Sequence, residues 1–118
     1  MRGTPERLYD IQVAINRILK YTSNGRREFD ESELVQEWVV RQIEIIGEAV
    51  INLPATFKTK YPNVSWKQIG AMRNILIHQY FHVDYEVVWA TVEHDIPILK
   101  SVVDANLREE DIIDEEDL

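Results

Sequence analysis

The chain has 118 residues, enough for one hydrophobic core without covalent staples, and no cysteine, which excludes a disulfide framework, a thiolate metal site and thiol redox chemistry. No stretch reaches the apolar length of a membrane span, and Met1-Arg2-Gly3-Thr4-Pro5 leads into a polar, periodic segment rather than a signal sequence, so the expected location is the cytoplasm. The formal charge of −8 argues against a nucleic-acid ligand only until its distribution is read: residues 108–118 hold one base and seven acids, a net −6, which leaves −2 on residues 1–107. The expected division is a body, 1–107, and a flexible acidic tail, 108–118, too poor in apolar residues to order itself. Two basic groups, Lys20/Arg26/Arg27 and Lys58/Lys60/Lys67, are candidates for local positive ground in the nearly neutral body, the plainer reading of any one of these lysines being a scattered, solvated charge.

Thr4-Pro5-Glu6 is a helix start, with Thr4 as capping hydroxyl and proline where a missing N–H costs nothing. Leu8, Ile11, Ile15, Ile18 and Leu19 then repeat at helical spacing, predicting an amphipathic helix over about 7–22 that Ser23-Asn24-Gly25 closes. Asp30-x-x-Glu33 has the form of a capping box for a second helix, about 31–53. Leu34, Val35, Trp38, Val39, Ile43, Ile46, Ala49, Val50 and Leu53 form an apolar arc wide enough to touch two neighbours, which places this helix in the centre. Gly47 lowers helix propensity at mid-helix, an arrangement worth keeping only if another backbone approaches closely there.

Residues 54–64, with Pro54 and Pro62, predict a connection with one helical turn. Trp66, Ile69, Met72, Leu76 and Ile77 mark a third helix capped by Asn63 or Ser65. A fourth stripe runs from Tyr85 to Val103, kinked or locally loosened near Pro97, which lacks the amide proton for the preceding turn. No segment alternates with period two. The predicted fold is all-α, an up-down four-helix bundle with a short extra helical turn.

Chemistry concentrates in Arg73-Asn74-Ile75-Leu76-Ile77-His78-Gln79-Tyr80, where an arginine, a histidine and a tyrosine interrupt a segment suited to burial. Arginine presents a fixed fork of donors to phosphate oxygens, and histidine moves protons near neutral pH. Taken singly, each has a plainer reading: Arg73 neutralised by Glu44 or Glu48, His78 as a helix-end histidine, Tyr80 as core. A metal reading of His78-x3-His82 with Asp84 lacks further ligands, and no glycine cluster cradles phosphate. On a straight helix Arg73 and His78 lie about 140° apart. A shared substrate atom therefore requires a loosened helix, an arginine that reaches round, or a site composed across a dimer.

The spacing R-x4-H-x-Y at Arg73, His78 and Tyr80, followed by Phe81-His82-Val83-Asp84-Tyr85, resembles the HEPN superfamily and, within it, the HepT-like toxins. Ile45-Ile46-Gly47-Glu48-Ala49, the lead-in Trp66 to Asn74, Val88-Trp89 and Asp95-Ile96-Pro97-Ile98-Leu99 extend the likeness over roughly residues 7–104. The resemblance implies a HEPN-like homodimer and a metal-independent endoribonuclease toxin of a type VII toxin–antitoxin system, with tRNA or mRNA as candidate substrates and no cofactor. His78 is then the general base for the ribose 2'-hydroxyl, and Arg73 stabilises the phosphorane. Asn74 and Glu48 are supporting residues, the first positioning phosphate or His78 and the second orienting Arg73 from the facing helix. It also implies a partner, an MNT-type nucleotidyltransferase antitoxin that transfers AMP to Tyr80. The alternative is a noncatalytic HEPN-like module that binds and regulates a nucleotidyltransferase.

Overall fold

A computed structural model describes residues 3–78 and 83–116, and side-chain surroundings for 3–74 and 83–108. Helix α1, Thr4–Thr22, buries Leu8, Ile11, Ala14, Ile15 and Ile18 on one face. Its cap falls one residue before the predicted one: Gly3 is the capping position, and Glu6 reaches back to accept the Gly3 N–H at 2.8 Å. Thr4 is already helical, and the first intrahelical bond runs from the Arg7 N–H to the Gly3 carbonyl at 3.1 Å. Gly25, at φ +112°, turns the chain out of the helix.

A short helix α2, Arg27–Glu31, follows, and its Phe29 is fully buried against Tyr85 and Trp89 at ring separations of 6.1 and 5.3 Å. The capping box expected at Asp30 does not form. Asp30 lies inside α2 and pairs with Arg26 at 3.0 Å, while Ser32 caps the next helix by accepting the Val35 N–H at 3.2 Å. Arg26 pairs as well with Glu86, whose carboxyl is held below its usual range by that hydrogen bond, and Arg27 pairs with Glu31. Both arginines of the first basic group therefore face carboxylates rather than open ground.

Helix α3, Glu33–Ile51, is central as predicted, packed on α1 along one side and on α5, Trp66–His78, along the other. Leu34 and Trp38, counted in its apolar arc, remain exposed; the Trp38 indole donates to the Arg17 carbonyl at 3.0 Å and its ring meets Tyr21 edge-on. The α3–α5 contact is antiparallel, since Gly47 faces Arg73 whereas Ile51 faces Gly70. Gly47 answers the expectation placed on it: a Cβ there would lie 2.8 Å from the Arg73 Cβ and 3.2 Å from the Ile69 carbonyl oxygen. A side chain here would force the two helices to shift.

The connection contains the predicted turn, α4, Ala55–Lys58, and a cluster of Phe57, Tyr61 and Trp66. Asn106 ties this cluster to the last helix by donating to the Tyr61 hydroxyl at 2.9 Å. The fourth stripe divides into α6, Tyr85–Ala90, a π-helical segment, Thr91–Asp95, and α7, Ile96–Glu116. The loosening falls where Pro97 withholds its donor, and the Ile96 N–H reaches back to the Thr91 carbonyl. Helix α7 packs on α1 and continues to Glu116, so the backbone of 108–116 is helical where fraying was expected. Extending an existing helix avoids the nucleation cost that a separate acidic segment would face. One core joins all the long helices, the described residues contain no strand, and no described helix is long and apolar enough to cross a membrane.

Candidate active site

Arg73 leaves the middle of α5 where Gly47 brings α3 closest, and the next residue of α3, Glu48, meets it: Glu48 Oε2 lies 2.7 Å from Arg73 Nε. Arg73 Nη1 donates to Asn74 Oδ1 at 3.1 Å, and Asn52 holds the other Glu48 oxygen more loosely at 3.4 Å. Three of the sequence-predicted site residues, Arg73, Asn74 and Glu48, are thus brought together. Of the two carboxylates considered as partners of Arg73, Glu48 is the one in contact; Glu44 pairs with Arg41 at 3.5 Å.

How strongly the pair holds Arg73 follows from exposure. The arginine side chain is 36% accessible and the glutamate 56%, so the pair sits in a screened setting where such contacts contribute about 0–1 kcal/mol. That is too little to be a pillar of the fold. It is enough to bias the guanidinium toward one rotamer, and an incoming phosphate can displace the carboxylate at small cost.

The guanidinium opens on a groove of about 420 Å³ between α1, α3 and α5, lined by Arg7 and Asp10, by Arg41, Glu44 and Glu48, and by Arg73. Three arginines and three carboxylates balance. Arg7 and Arg41 were not singled out in the sequence, because each is an ordinary charge on the polar side of its own helix. Nothing in linear spacing relates positions 7, 41 and 73, which only packing assembles.

Helix α5 stays α-helical through His78, which removes the loosened-helix route for joining Arg73 and His78. The His78 side chain, Tyr80 and His82 lie outside the described residues. His94, unassigned from the sequence, is exposed beside Glu93 at 3.2 Å, and Glu93 also accepts the Trp89 indole N–H at 3.1 Å. Among the described residues no three histidine or acidic side chains converge as a metal site requires.

The sequence matches the family described as Ribonuclease HepT-like over residues 11–116. The chain belongs to this HepT-like family. A Methanocaldococcus jannaschii protein named "Putative RNase MJ1380" is 40% identical over 98 residues, covering 82% of this chain and 90% of its own. The "Probable ribonuclease HepT" of Thermococcus cleftensis is 42% identical over 100 residues, covering 84% and 91%. No solved structure matches the chain. The HepT-like match runs through the acidic segment to residue 116, in step with the helix that carries it.

Proposed function

We propose that this chain is a metal-independent endoribonuclease toxin in which Arg73 and His78 cleave RNA and AMP on Tyr80 silences it. The observation that carries the reading is membership of the HepT-like family along nearly the whole chain, joined to an arginine held at the mouth of a groove by a carboxylate weak enough to yield. His78 and Tyr80 enter through their motif positions. His78 takes the proton of a ribose 2'-hydroxyl, the freed oxygen attacks the adjacent phosphorus, and the bond to the 5'-oxygen breaks, that oxygen taking a proton from water. Arg73 neutralises the charge that builds on the phosphorane. The products are a 2',3'-cyclic phosphate and a 5'-hydroxyl.

Because α5 remains regular, Arg73 and position 78 diverge by about 140° on the helix. A homodimer in which two copies of α5 face one cleft resolves that divergence, and a strictly monomeric protein that still cleaves would contradict it. An MNT-type nucleotidyltransferase transferring AMP from ATP to the Tyr80 phenol, with pyrophosphate leaving, would put negative charge where RNA phosphate must sit.

The second reading, a noncatalytic module that regulates a nucleotidyltransferase, is favoured by one observation, that Glu48 already neutralises Arg73. Expression of the chain alone separates the two. Growth arrest that His78→Ala abolishes, and that the partner relieves for wild type but not for Tyr80→Phe, is the expected result. Equal growth with wild type and His78→Ala would favour the regulatory module.

A further inference from the structure

A second groove of about 400 Å³ lies on the other side of α5, between that helix, α4 and the end of α3. Its charged lining residues are Lys58 and Lys67, with no carboxylate, in a chain whose net charge is −8. We infer that this lysine groove holds the sugar-phosphate backbone of single-stranded RNA flanking the bond to be cut. The inference rests on the ribonuclease reading and adds to it a binding track outside the Arg73 groove.

Four features support it. Arg26 and Arg27 pair with acids, whereas among the described residues neither Lys58 nor Lys67 pairs with an acid. Lys58 donates to the Val50 carbonyl at 3.1 Å, which fixes its ammonium at the groove wall without cancelling a full charge. Gly70 lets α5 sit close on Ile51 within the groove, where a Cβ would lie 3.1 Å from Ile51 Cγ1, and Ala71 adds only a methyl group to the lining. Lys67, Ala71 and Asn74 follow one another at four and three residues, a row on one side of the helix that ends at the amide bonded to Arg73. A strand laid along the row is therefore led to the arginine.

The chemistry of the lining sets the ligand class. Ammonium groups are point charges with freely turning donors, which suit successive phosphates and read no base identity. Binding should accordingly depend on salt and little on sequence.

The test uses a fluorescent single-stranded RNA of about 12 nucleotides carrying 2'-O-methyl groups throughout, which removes the attacking hydroxyl and isolates binding from cleavage. Affinity is measured against salt for the full-length protein. Lys67→Gln should weaken binding about 3–10-fold at about 50 mM salt and lower the slope of log affinity against log salt by about 0.7, with Lys67→Arg restoring both. Lys20→Gln, the same charge change on α1, should leave both at wild-type values. Lys58→Gln should follow Lys67→Gln, and thermal melting of each variant shows whether loss of the Val50 bond has unfolded it. If wild type cleaves RNA but Lys67→Gln binds like Lys20→Gln, the groove assignment is overturned while the ribonuclease reading stands. If wild type neither cleaves RNA nor binds the probe, both fall. Equal affinity for duplex RNA with the same lysine dependence would overturn the single-strand assignment.

Discussion

The two grooves flanking α5 are of nearly equal volume, but one is electrically balanced and the other is positive. On one side Arg73 shares its space with Arg7 and Arg41 and with three carboxylates, so its cation is oriented but locally cancelled. On the other, among the described residues, Lys58 and Lys67 stand without an acid. A net charge of −8 would have dismissed the chain as a nucleic-acid binder, yet what a phosphate meets is the charge within a few ångströms, not the total. The difference also separates two tasks. Unpaired lysines attract a polyanion at a distance, whereas an arginine pinned by a weak carboxylate is aimed before the phosphate arrives.

The sharpest way to break this comparison is Gly47→Ala, whose new methyl group meets α5 at Arg73. The new methyl group would sit 2.8 Å from the Arg73 Cβ and 3.2 Å from a backbone oxygen of α5, so the helix must move. Overpacking costs about 1–3 kcal/mol, but alanine recovers about 1 kcal/mol of helix propensity, so the melting temperature should fall only modestly. Cleavage should fall about 100-fold, because a displacement near 1 Å at the reacting group is enough. Binding of the 2'-O-methyl probe should persist. Cleavage at wild-type rate in a folded Gly47→Ala protein would show that the close approach does not set the position of Arg73.

Glu48→Gln sharpens the comparison with a smaller effect of mixed sign. It leaves the arginine groove with one uncompensated positive charge, so RNA affinity should rise at low salt. If Glu48 aims Arg73, the cleavage step should still slow about tenfold, with little change in stability because the pair is half exposed. Tighter binding with faster cleavage would make Glu48 a competitor of the substrate rather than a positioning residue.

Much of this was legible in one dimension, and the exceptions share a cause. Helical periodicity located the long helices, Gly47 announced a backbone contact, and Pro97 announced the π-helical segment beside it. The resemblance at Ile45 to Ala49 and at Arg73-Asn74 brought forward Glu48, which the fold sets against Arg73. Local competition was harder to see. Asp30 and Ser32 both suit a helix cap, and Ser32 prevails because Asp30 is engaged by Arg26 inside a five-residue helix whose existence depends on burying Phe29 between Tyr85 and Trp89. Leu34 and Trp38 read as core yet stay outside it, because periodicity shows which side of a helix is apolar and not how far the neighbouring helix extends. The composition of each groove was out of reach for the same reason, since it joins residues from three elements far apart in sequence.

The purified, unmodified protein, incubated with total RNA in the presence of chelator and read by analysis of the product ends, provides the most direct test. Cleavage leaving 2',3'-cyclic phosphate and 5'-hydroxyl termini is predicted, reduced at least about 100-fold by Arg73→Ala and by His78→Ala. Intact RNA, cleavage that appears only with added divalent ions, or full activity in either alanine variant would contradict it.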